Sequence, residues 1–549
     1  MQPLRIAVVS DASPRVIWRL AQRIEQEVPA AKVCGLIHQL GSPGSGAQSV
    51  GKYLRTSAAR LGDIFLHWLH ASPPQLNADA GFDRSALLQQ VRQTGWPVAF
   101  LDNDDYRDVV DLLQRQQADL CVALLKRPSA AALLASPRLG SVVVSPSDGN
   151  SISANRNLAA GQKIRIMAFR VQASADPIEI QTLSLPIDPY DTPTSIALKT
   201  DVVGSDLLIQ STVRVVHEHS GTSVVPLYSS EILSFLDSRH SRKAEAESVV
   251  PPSHFTRAPW KLFLNSLALW PWLLVRNWYR RLRGRFPVII LVHHLISDMP
   301  HRMAMSTEMF FRQIQFLEKH YRIVSLSEAV ELLKSGGIRV PTVVLTFDDG
   351  YEENFLTLRS VVEATGIPVS MFVCTGVVEQ QAEFSHDLEK GRHNFKALGW
   401  EQVAYLGRNG MEIGSHTRFH LNCGTSDEGA LYDEIVGAKT DLQQHLGKRV
   451  RFFGFPFGEP ENMSPEAMKL AKSHYEYFLS CFGGENFACA PDGRPHLLRQ
   501  SWERSTWELE LALQGILDLR KRIKRGFGWG AEAQEIERVQ AIAALRDIA

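Results

Sequence analysis

The chain has 549 residues, which is enough for two or three domains with substantial cores. Lysine plus arginine and aspartate plus glutamate both total 59, so the net charge gives no reason to expect a nucleic-acid partner. Six cysteines occur without a Cys-x-x-Cys pair, which favours reduced thiols. No apolar signal region precedes the first predicted strand. Together these features predict a cytoplasmic protein.

The first half of the chain predicts an open parallel sheet. Residues 4–11 have the apolar pattern of a strand, and helix-like and strand-like segments alternate as far as a strand at 118–125. Alternation of this kind is typical of α/β domains. No Gly-x-Gly-x-x-Gly follows the first strand, so a dinucleotide-binding fingerprint is absent. The glycine-rich stretch 41–46 is predicted to be a loop.

This half resembles the formyltransferase domain of methionyl-tRNA and sugar formyltransferases over about residues 1–235, above all at 139–147. In that family the stretch contains Asn-x-His-Pro-Ser, whose asparagine and histidine stabilise the transferring formyl group. Val143 and Ser145 stand at those two positions, and neither side chain can replace the family's residue. We therefore expect residues 1–237 to form a formyltransferase-like domain without catalytic activity, used for binding or scaffolding.

Residues 238–284 are predicted to join the two halves. Their first part is charged and contains prolines, as solvated linkers do. Residues 260–285 then combine aromatic and leucine side chains with a run of arginines, which suits a helix at a membrane surface. The apolar stretch is too short to span a bilayer, and Pro271 interrupts it. A helix packed between domains is the alternative, so membrane-surface contact is a hypothesis.

The second half contains the most informative pattern. Residues 342–345 are apolar and β-branched, which predicts a buried parallel strand that ends at Asp348 and Asp349. Carboxylates at the carboxyl end of such a strand lie where α/β folds place active sites. Adjacent side chains point to opposite faces unless the chain turns, so one aspartate can bind a cation while the other stays free. Standing alone, Asp-Asp-Gly is equally typical of a solvated turn.

A second short strand and loop at 411–415 lead to His416 and His420. Histidines four residues apart can reach one ion if the backbone between them is helical. Two imidazoles and one carboxylate leave a coordination position open for water, as in catalytic zinc sites and unlike four-ligand structural sites. The unused aspartate is then well placed as a general base. Zinc is the expected metal, although iron or cobalt would fit the same ligands.

An aromatic strand and turn at 452–458 complete the pattern, although alone they would predict only a core strand. In order and approximate spacing, residues 346–350, 416–420 and 455–458 resemble the first three motifs of the polysaccharide deacetylase family, carbohydrate esterase family four. The resemblance covers about residues 286–500. Further segments are similar to the branch of exopolysaccharide and biofilm deacetylases, namely 288–297, 310–317, 323–326 and 366–373. The resemblance to this family implies an irregular (β/α) barrel of parallel strands within residues 285–530, followed by a helical tail at 531–549.

The resemblance also implies roles for individual residues. Asp348 is the expected base, and Zn²⁺ or another divalent transition metal is the expected cofactor, with the ligands Asp349, His416 and His420. The backbone amide of Phe457 is expected to help hold the tetrahedral oxyanion. The implied reaction is metal-dependent hydrolysis of an N-acyl group, most often N-acetyl, on an amino sugar. Substrate contacts are expected from His294, Phe455 and Pro456.

Two departures from the family pattern bear on these roles. Gly454 stands where many members carry an arginine that orients the base, and the Leu-x-His segment that provides the proton for the leaving amine is missing after Cys489. The general acid is therefore unassigned, with candidates His386, His474 and His496. Two alternatives stay open: a deformylase acting on an N-formyl amino sugar, and a non-catalytic scaffold of envelope-polysaccharide assembly. For an enzyme, a lipid- or nucleotide-linked glycoconjugate precursor at the inner face of the membrane is the expected substrate.

Overall fold

The structure is a computed structural model that describes most of the second half of the chain and parts of the first. The described residues are 3–10, 14–39, 94–101, 107–125, 137–146, 163–172, 175–187, 190–220, 259–488, 495–502 and 505–515. The predicted loop at 41–46, the linker up to residue 258 and the helical tail at 531–549 lie outside them. Contacts within the chain divide it into two compact units.

The first unit is a sheet with helices. Its strands are β1 (Leu4–Ser10), β2 (Ala31–Gln39), β3 (Val98–Leu101), β4 (Leu120–Leu124), β5 (Ser141–Pro146), β6 (Lys163–Gln172) and β7 (Ala175–Pro186). Its described helices are α1 (Pro14–Glu27), α2 (Arg107–Arg115) and α3 (Pro193–Ser220). The strand order is β3-β2-β1-β4-β5-β6-β7.

Strands β1 to β5 pair in parallel, which confirms the predicted parallel sheet. Strands β1, β4 and β5 are mostly apolar and buried, as expected where helices cover the faces of a parallel sheet. Strands β6 and β7 extend this sheet as an antiparallel pair, which the sequence analysis did not predict. Ile164, Ile166 and Ala168 are buried on β6 while Arg165 between them is exposed. Such alternation is typical of an antiparallel strand with one solvated face.

The second unit contains a barrel. Its strands are β8 (Val288–His293), β9 (Leu295–Ile296), β10 (Ala304–Met305), β11 (Arg322–Ile323), β12 (Thr342–Phe347), β13 (Ser370–Val373), β14 (Glu412–Ser415), β15 (Phe452–Gly454), β16 (Tyr477–Ser480) and β17 (His496–Ser501). Its α-helices are α4 (Pro259–Arg283), α5 (Thr307–His320), α6 (Leu326–Ser335), α7 (Asn354–Ser360), α8 (Thr375–Gln380), α9 (Ser385–Leu388), α10 (Trp400–Arg408), α11 (Glu428–Tyr432), α12 (Ala438–Leu446), α13 (Pro465–His474) and α14 (Thr506–Leu513).

Seven parallel strands close the barrel in the order β8-β12-β13-β14-β15-β16-β17, and β17 pairs again with β8. The short strand β11 pairs with the first two residues of β12, and β13 pairs with the last two residues of β12. Every residue of β8, β12 and β13 is buried, which explains their uninterrupted apolar runs. The predicted irregular barrel of parallel strands is confirmed. Because all strands run the same way, their carboxyl ends lie at one rim.

Helix α4 spans the whole aromatic and basic stretch that the sequence analysis described. It is 25 residues long, and Pro271 lies within it. Among the helices that the structure describes, none combines the length and the apolar character needed to cross a bilayer.

Candidate metal and catalytic site

The two aspartates after β12 point in different directions because the chain turns between them. Asp349 has a φ of 70° and Gly350 a φ of 88°, both in the left-handed region. A Cβ at Gly350 would lie 3.0 Å from Cγ1 of Val373, so the turn has no room for a larger residue. The turn therefore separates two buried carboxylates. Adjacent aspartates need such a turn if one is to bind a cation while the other stays free.

Asp349, His416 and His420 lie together at the barrel rim. Their potential ligand atoms are all within 4.8 Å of one another. Oδ1 of Asp349 is 3.3 Å from Nε2 of His420 and 3.6 Å from Nε2 of His416. Two atoms that each lie about 2.1 Å from one tetrahedral ion are separated by about 3.4 Å. The two distances from Asp349 are close to this value, so the three side chains can converge on a single ion after a small adjustment.

The carboxylate of Asp349 lacks the hydrogen bonds that a buried carboxylate requires. Both of its oxygens are buried, and neither accepts a hydrogen bond from any residue that the structure describes. Burial raises the pKa of Asp349 well above its usual range, and the Asp348 carboxylate adds to the rise. A bound cation would provide the missing partner and keep Asp349 ionised. These residues thus fit a divalent metal ion.

His416 is held in the tautomer that a metal ligand needs. Its Nδ1–H donates a hydrogen bond of 2.8 Å to the carbonyl oxygen of Gly454, which leaves Nε2 with its lone pair facing Asp349. Burial lowers the pKa of His416 to about 4 and that of His420 well below its usual value. Both imidazoles are therefore neutral at pH 7, as metal ligands must be.

The backbone between His416 and His420 is not helical, contrary to the geometry that the sequence analysis considered. Thr417 and His420 have φ values of 65° and 58°, and the segment is an irregular loop. Oε2 of Glu434 accepts hydrogen bonds from the amides of Arg418 and Phe419, at 2.8 and 2.9 Å. These bonds fix the loop, so a turn rather than a helix brings the two imidazoles together.

Arg499 on β17 is the functional residue that the sequence analysis missed. Its Nη1 donates a hydrogen bond of 2.6 Å to Oδ1 of Asp348, and both side chains are almost fully buried. Burial opposes ionisation of Asp348, but the charge of Arg499 and its hydrogen bond to the carboxylate outweigh burial, so the pKa of this carboxyl is below its usual value. Asp348 is therefore an oriented carboxylate at neutral pH. The available signal was an arginine directly after the apolar pair Leu497 and Leu498.

Gly454 has a steric explanation. A Cβ at this position would lie 3.2 Å from the ring of Phe372 and 3.3 Å from Nδ1 of His416. A longer side chain would displace the histidine from its hydrogen bond. Arg499, which lies two strands further round the barrel, contacts Asp348 instead.

The third motif presents one aromatic ring to solvent. Phe457 is 49% exposed, has a φ of 60°, and its ring lies 4.7 Å from that of His420. Phe455 and Pro456 are buried, and Phe455 packs against Phe453 and Phe478. Burial leaves the side chains of Phe455 and Pro456 little surface for a sugar, and the substrate contacts expected of them stay a prediction. Phe457 is the aromatic residue of this motif that a substrate can reach.

The remaining histidines lie at two different rims of the barrel. His474 ends α13 and His496 begins β17, so both lie at the amino ends of strands, opposite the metal cluster. His386 lies beside His420, with ring centroids 4.9 Å apart, and its Nε2 is hydrogen-bonded to the hydroxyl of Tyr351. His294 follows β8 at the rim and is only partly buried. Burial lowers the pKa of His294, and the Asp348 carboxylate opposes the shift.

In the first unit, Val143 and Ser145 both lie on the buried strand β5. They offer an apolar side chain and a hydroxyl where the formyltransferase family has an amide and an imidazole.

Comparison with known proteins agrees with the residues assembled at this rim. The polysaccharide deacetylase family model matches residues 336–475, which include both aspartates, both histidines and Phe457. Residues 336–475 are a polysaccharide deacetylase domain. Arg499 lies beyond the matched residues of the deacetylase domain, as does His294.

Solved structures similar to the chain include a deacetylase from Streptococcus pyogenes, PplD, in complex with acetate. It is 18% identical, and the match covers 42% of this chain and 98% of that one, with a TM-score of 0.35. IcaB from Ammonifex degensii is 22% identical over 42% and 97% of the two chains, with a TM-score of 0.34. A phosphoribosylglycinamide formyltransferase from Bacillus halodurans is 16% identical over 39% and 96%, with a TM-score of 0.26. No curated protein matches the chain.

Proposed function

We propose that the protein removes an N-acyl group, most often N-acetyl, from an amino sugar in a metal-dependent hydrolysis. The observation that carries the proposal is the convergence of Asp349, His416 and His420 around two buried carboxylate oxygens without a hydrogen-bond donor. A divalent ion held there, with Zn²⁺ preferred for two imidazoles and a carboxylate, would polarise the acyl carbonyl and lower the pKa of a water molecule.

Asp348 is the proposed base. It is ionised, and Oδ2 of Asp348 lies 3.8 Å from Nε2 of His416, so it lies beside the metal ligands without belonging to them. Arg499 binds the other oxygen, which leaves Oδ2 to accept the proton of the attacking water. The new C–O bond forms as that proton passes to Asp348.

The proposed oxyanion contact is the backbone N–H of Phe457. Among the described residues, no acceptor is hydrogen-bonded to this amide. The positive φ of Phe457 and the hydrogen bond from the amide of Gly458 to the carbonyl of Pro456 fix the turn that carries it. A fixed donor at the rim can stabilise the negative oxygen that develops on the acyl carbon.

We assign His294 to the delivery of a proton to the leaving amine. Burial lowers the pKa of His294, so its imidazole is neutral at pH 7 and passes on the proton that Asp348 has taken from water. His294 is not a metal ligand, it lies at the same rim as Asp348, and the two groups interact electrostatically. Of the other candidates, His386 already binds Tyr351, while His474 and His496 lie at the opposite rim. Cleavage of the C–N bond then gives a free amine and a carboxylate.

The proposed substrate form is a lipid- or nucleotide-linked precursor of an exopolysaccharide, processed at the inner face of a membrane. The five cysteines that the structure describes are all free thiols, which suits a reducing compartment. The exposed apolar side of α4 would place the protein close to a lipid carrier.

A deformylase is the second candidate, because the first unit resembles formyltransferases. We expect acetate release from a nucleotide-linked N-acetyl amino sugar to exceed formate release from its N-formyl counterpart by about tenfold or more in kcat/KM. A pocket shaped for the acetyl methyl group discriminates by that amount. The measurement is product analysis on the two matched substrates, with Asp348→Asn as the inactive control.

The reverse preference would support the deformylase and overturn the deacetylase. Failure of the parent to release either acid from either substrate, with metal bound, would favour the scaffold instead. The missing arginine at Gly454 no longer favours a scaffold, because Arg499 provides the contact with Asp348 that Gly454 cannot.

A further inference from the structure

The second half of α4, from Pro271 to Arg283, turns its apolar side away from the protein. Six large apolar side chains in this half are 47% to 64% exposed. They are Trp272, Leu274, Val275, Trp278, Tyr279 and Leu282. This arrangement is the reverse of an ordinary surface helix, which buries its apolar side and exposes its charges.

The inward side of α4 is mostly polar. Arg276 donates two hydrogen bonds of 2.8 Å to the carbonyl and side-chain oxygens of Gln514, and Asn277 also bonds to the latter. Arg280 forms an ion pair of 2.8 Å with Glu485. Leu273 is buried among them. Polar contacts thus fix the orientation of the helix, so its apolar side is held outward.

The exposed apolar residues form one continuous surface. At about 100° per residue, the six side chains occupy an arc of about 160°. Arg281 borders this arc on one side and Arg283 on the other, and both are exposed. We call this surface, the six apolar residues with their two flanking arginines, the outward face of α4.

The segment of the chain that carries this face has charges of one sign. Residues 248–297 contain no aspartate or glutamate, but they contain seven lysines and arginines. The basic residues are Arg257, Lys261, Arg276, Arg280, Arg281, Arg283 and Arg285. A surface with tryptophan, tyrosine and leucine in its centre and arginine at its edges matches the boundary between acyl chains and anionic headgroups.

We propose that the outward face of α4 binds the surface of an anionic lipid bilayer. The helix lies in the plane of the interface, with Trp278 and Leu282 inserted and Arg281 and Arg283 at the headgroups. A second copy of the chain fits less well, because a symmetric contact would bring the arginine edges of the two copies together. This inference does not depend on the proposed reaction, since binding to lipid requires no catalysis.

The test is flotation of the full-length protein with phosphatidylcholine vesicles that contain about 30% phosphatidylglycerol, compared with vesicles of phosphatidylcholine alone. We expect the protein to float with the anionic vesicles and to be released as salt rises. The double variant Trp278→Gln and Leu282→Gln should bind about a hundredfold more weakly, because two large side chains no longer insert. Arg281→Gln with Arg283→Gln should lose about tenfold or more and no longer prefer anionic lipid.

The matched control is Ile178→Gln with Tyr432→Gln, which removes two comparably exposed apolar side chains on β7 and α11. This variant should float as the parent does, and light scattering should show all variants in the oligomeric state of the parent. The proposal is overturned if the parent fails to float, if the α4 variants float as well as the parent, or if the apolar variant instead dissociates a dimer. Deacetylation of a soluble substrate should be unchanged in all variants, which separates this outcome from failure of the proposed function.

Discussion

The asparagine variant of Asp348 is expected to hydrolyse the N-acetyl substrate about 10³-fold more slowly in kcat/KM, a loss of about 4 kcal/mol in transition-state stabilisation. The carboxylate of Asp348 is the ionised group beside the metal ligands that does not belong to them. An amide has the same shape but cannot accept a proton from water. The measurement is steady-state hydrolysis with the metal content determined on the same preparation.

The variant is informative because the fold should survive it. The side-chain oxygen of asparagine still accepts the hydrogen bond from Arg499. Metal content should therefore equal that of the parent, and thermal unfolding should show one transition at a similar temperature. An Asp348→Asn protein that keeps its metal and retains more than about a tenth of the parent's activity would remove Asp348 from the proposed role.

Replacing Arg499 by methionine is expected to lower kcat about 10²-fold and to destabilise the fold by about 3 kcal/mol. The variant leaves the buried Asp348 carboxylate without its hydrogen-bond donor, and an unpaired buried charge is costly. The base also loses its fixed orientation. Urea unfolding and steady-state kinetics measure the two effects on one protein.

Two further variants separate positioning from simple structural damage. Arg499→Lys keeps a charge near Asp348 and should recover part of kcat without changing KM. The double variant Arg499→Met with Asp348→Asn removes both charges and should be more stable than Arg499→Met alone, as expected for a coupled pair. If the two substitutions destabilise additively, Arg499 does not act through Asp348.

The parts of the site that follow strands were predictable from the sequence. A buried parallel strand must be apolar throughout and must end where polar residues begin, so the position of Asp348 and Asp349 followed from residues 342–345. The same argument located His416 after β14. The barrel and the parallel sheet were predictable because their element order alternates in the way that such folds require.

Other features depend on contacts between residues far apart in the chain. Arg499 and Asp348 are 151 positions apart, and only the pairing of β17 with β8 and of β8 with β12 brings them together. The loop from His416 to His420 owes its shape to Glu434, which lies on a later helical segment. No local propensity indicates such a contact, so the spacing of the two histidines suggested a helix where the structure has a turn.

Helix α4 shows a third kind of limit. Its composition predicted an amphipathic segment, but composition does not tell which side of a helix faces outward. That side depends on Gln514 and Glu485, which bind Arg276 and Arg280 from more than 200 residues away. For Phe455 the aromatic motif suggested a substrate contact, but the side chain is buried in the core.

The most direct test of the account is the transition-metal content of the purified protein, compared with that of His416→Ala. We expect about one ion per chain in the parent and strong depletion in the variant, because the two remaining ligands, Asp349 and His420, bind the ion too weakly on their own. His474→Ala is the matched control and should keep the parent's metal, since His474 lies at the opposite rim. A parent that stays metal-free after incubation with excess zinc, or a His416→Ala variant that binds as much as the parent, would contradict the proposed site.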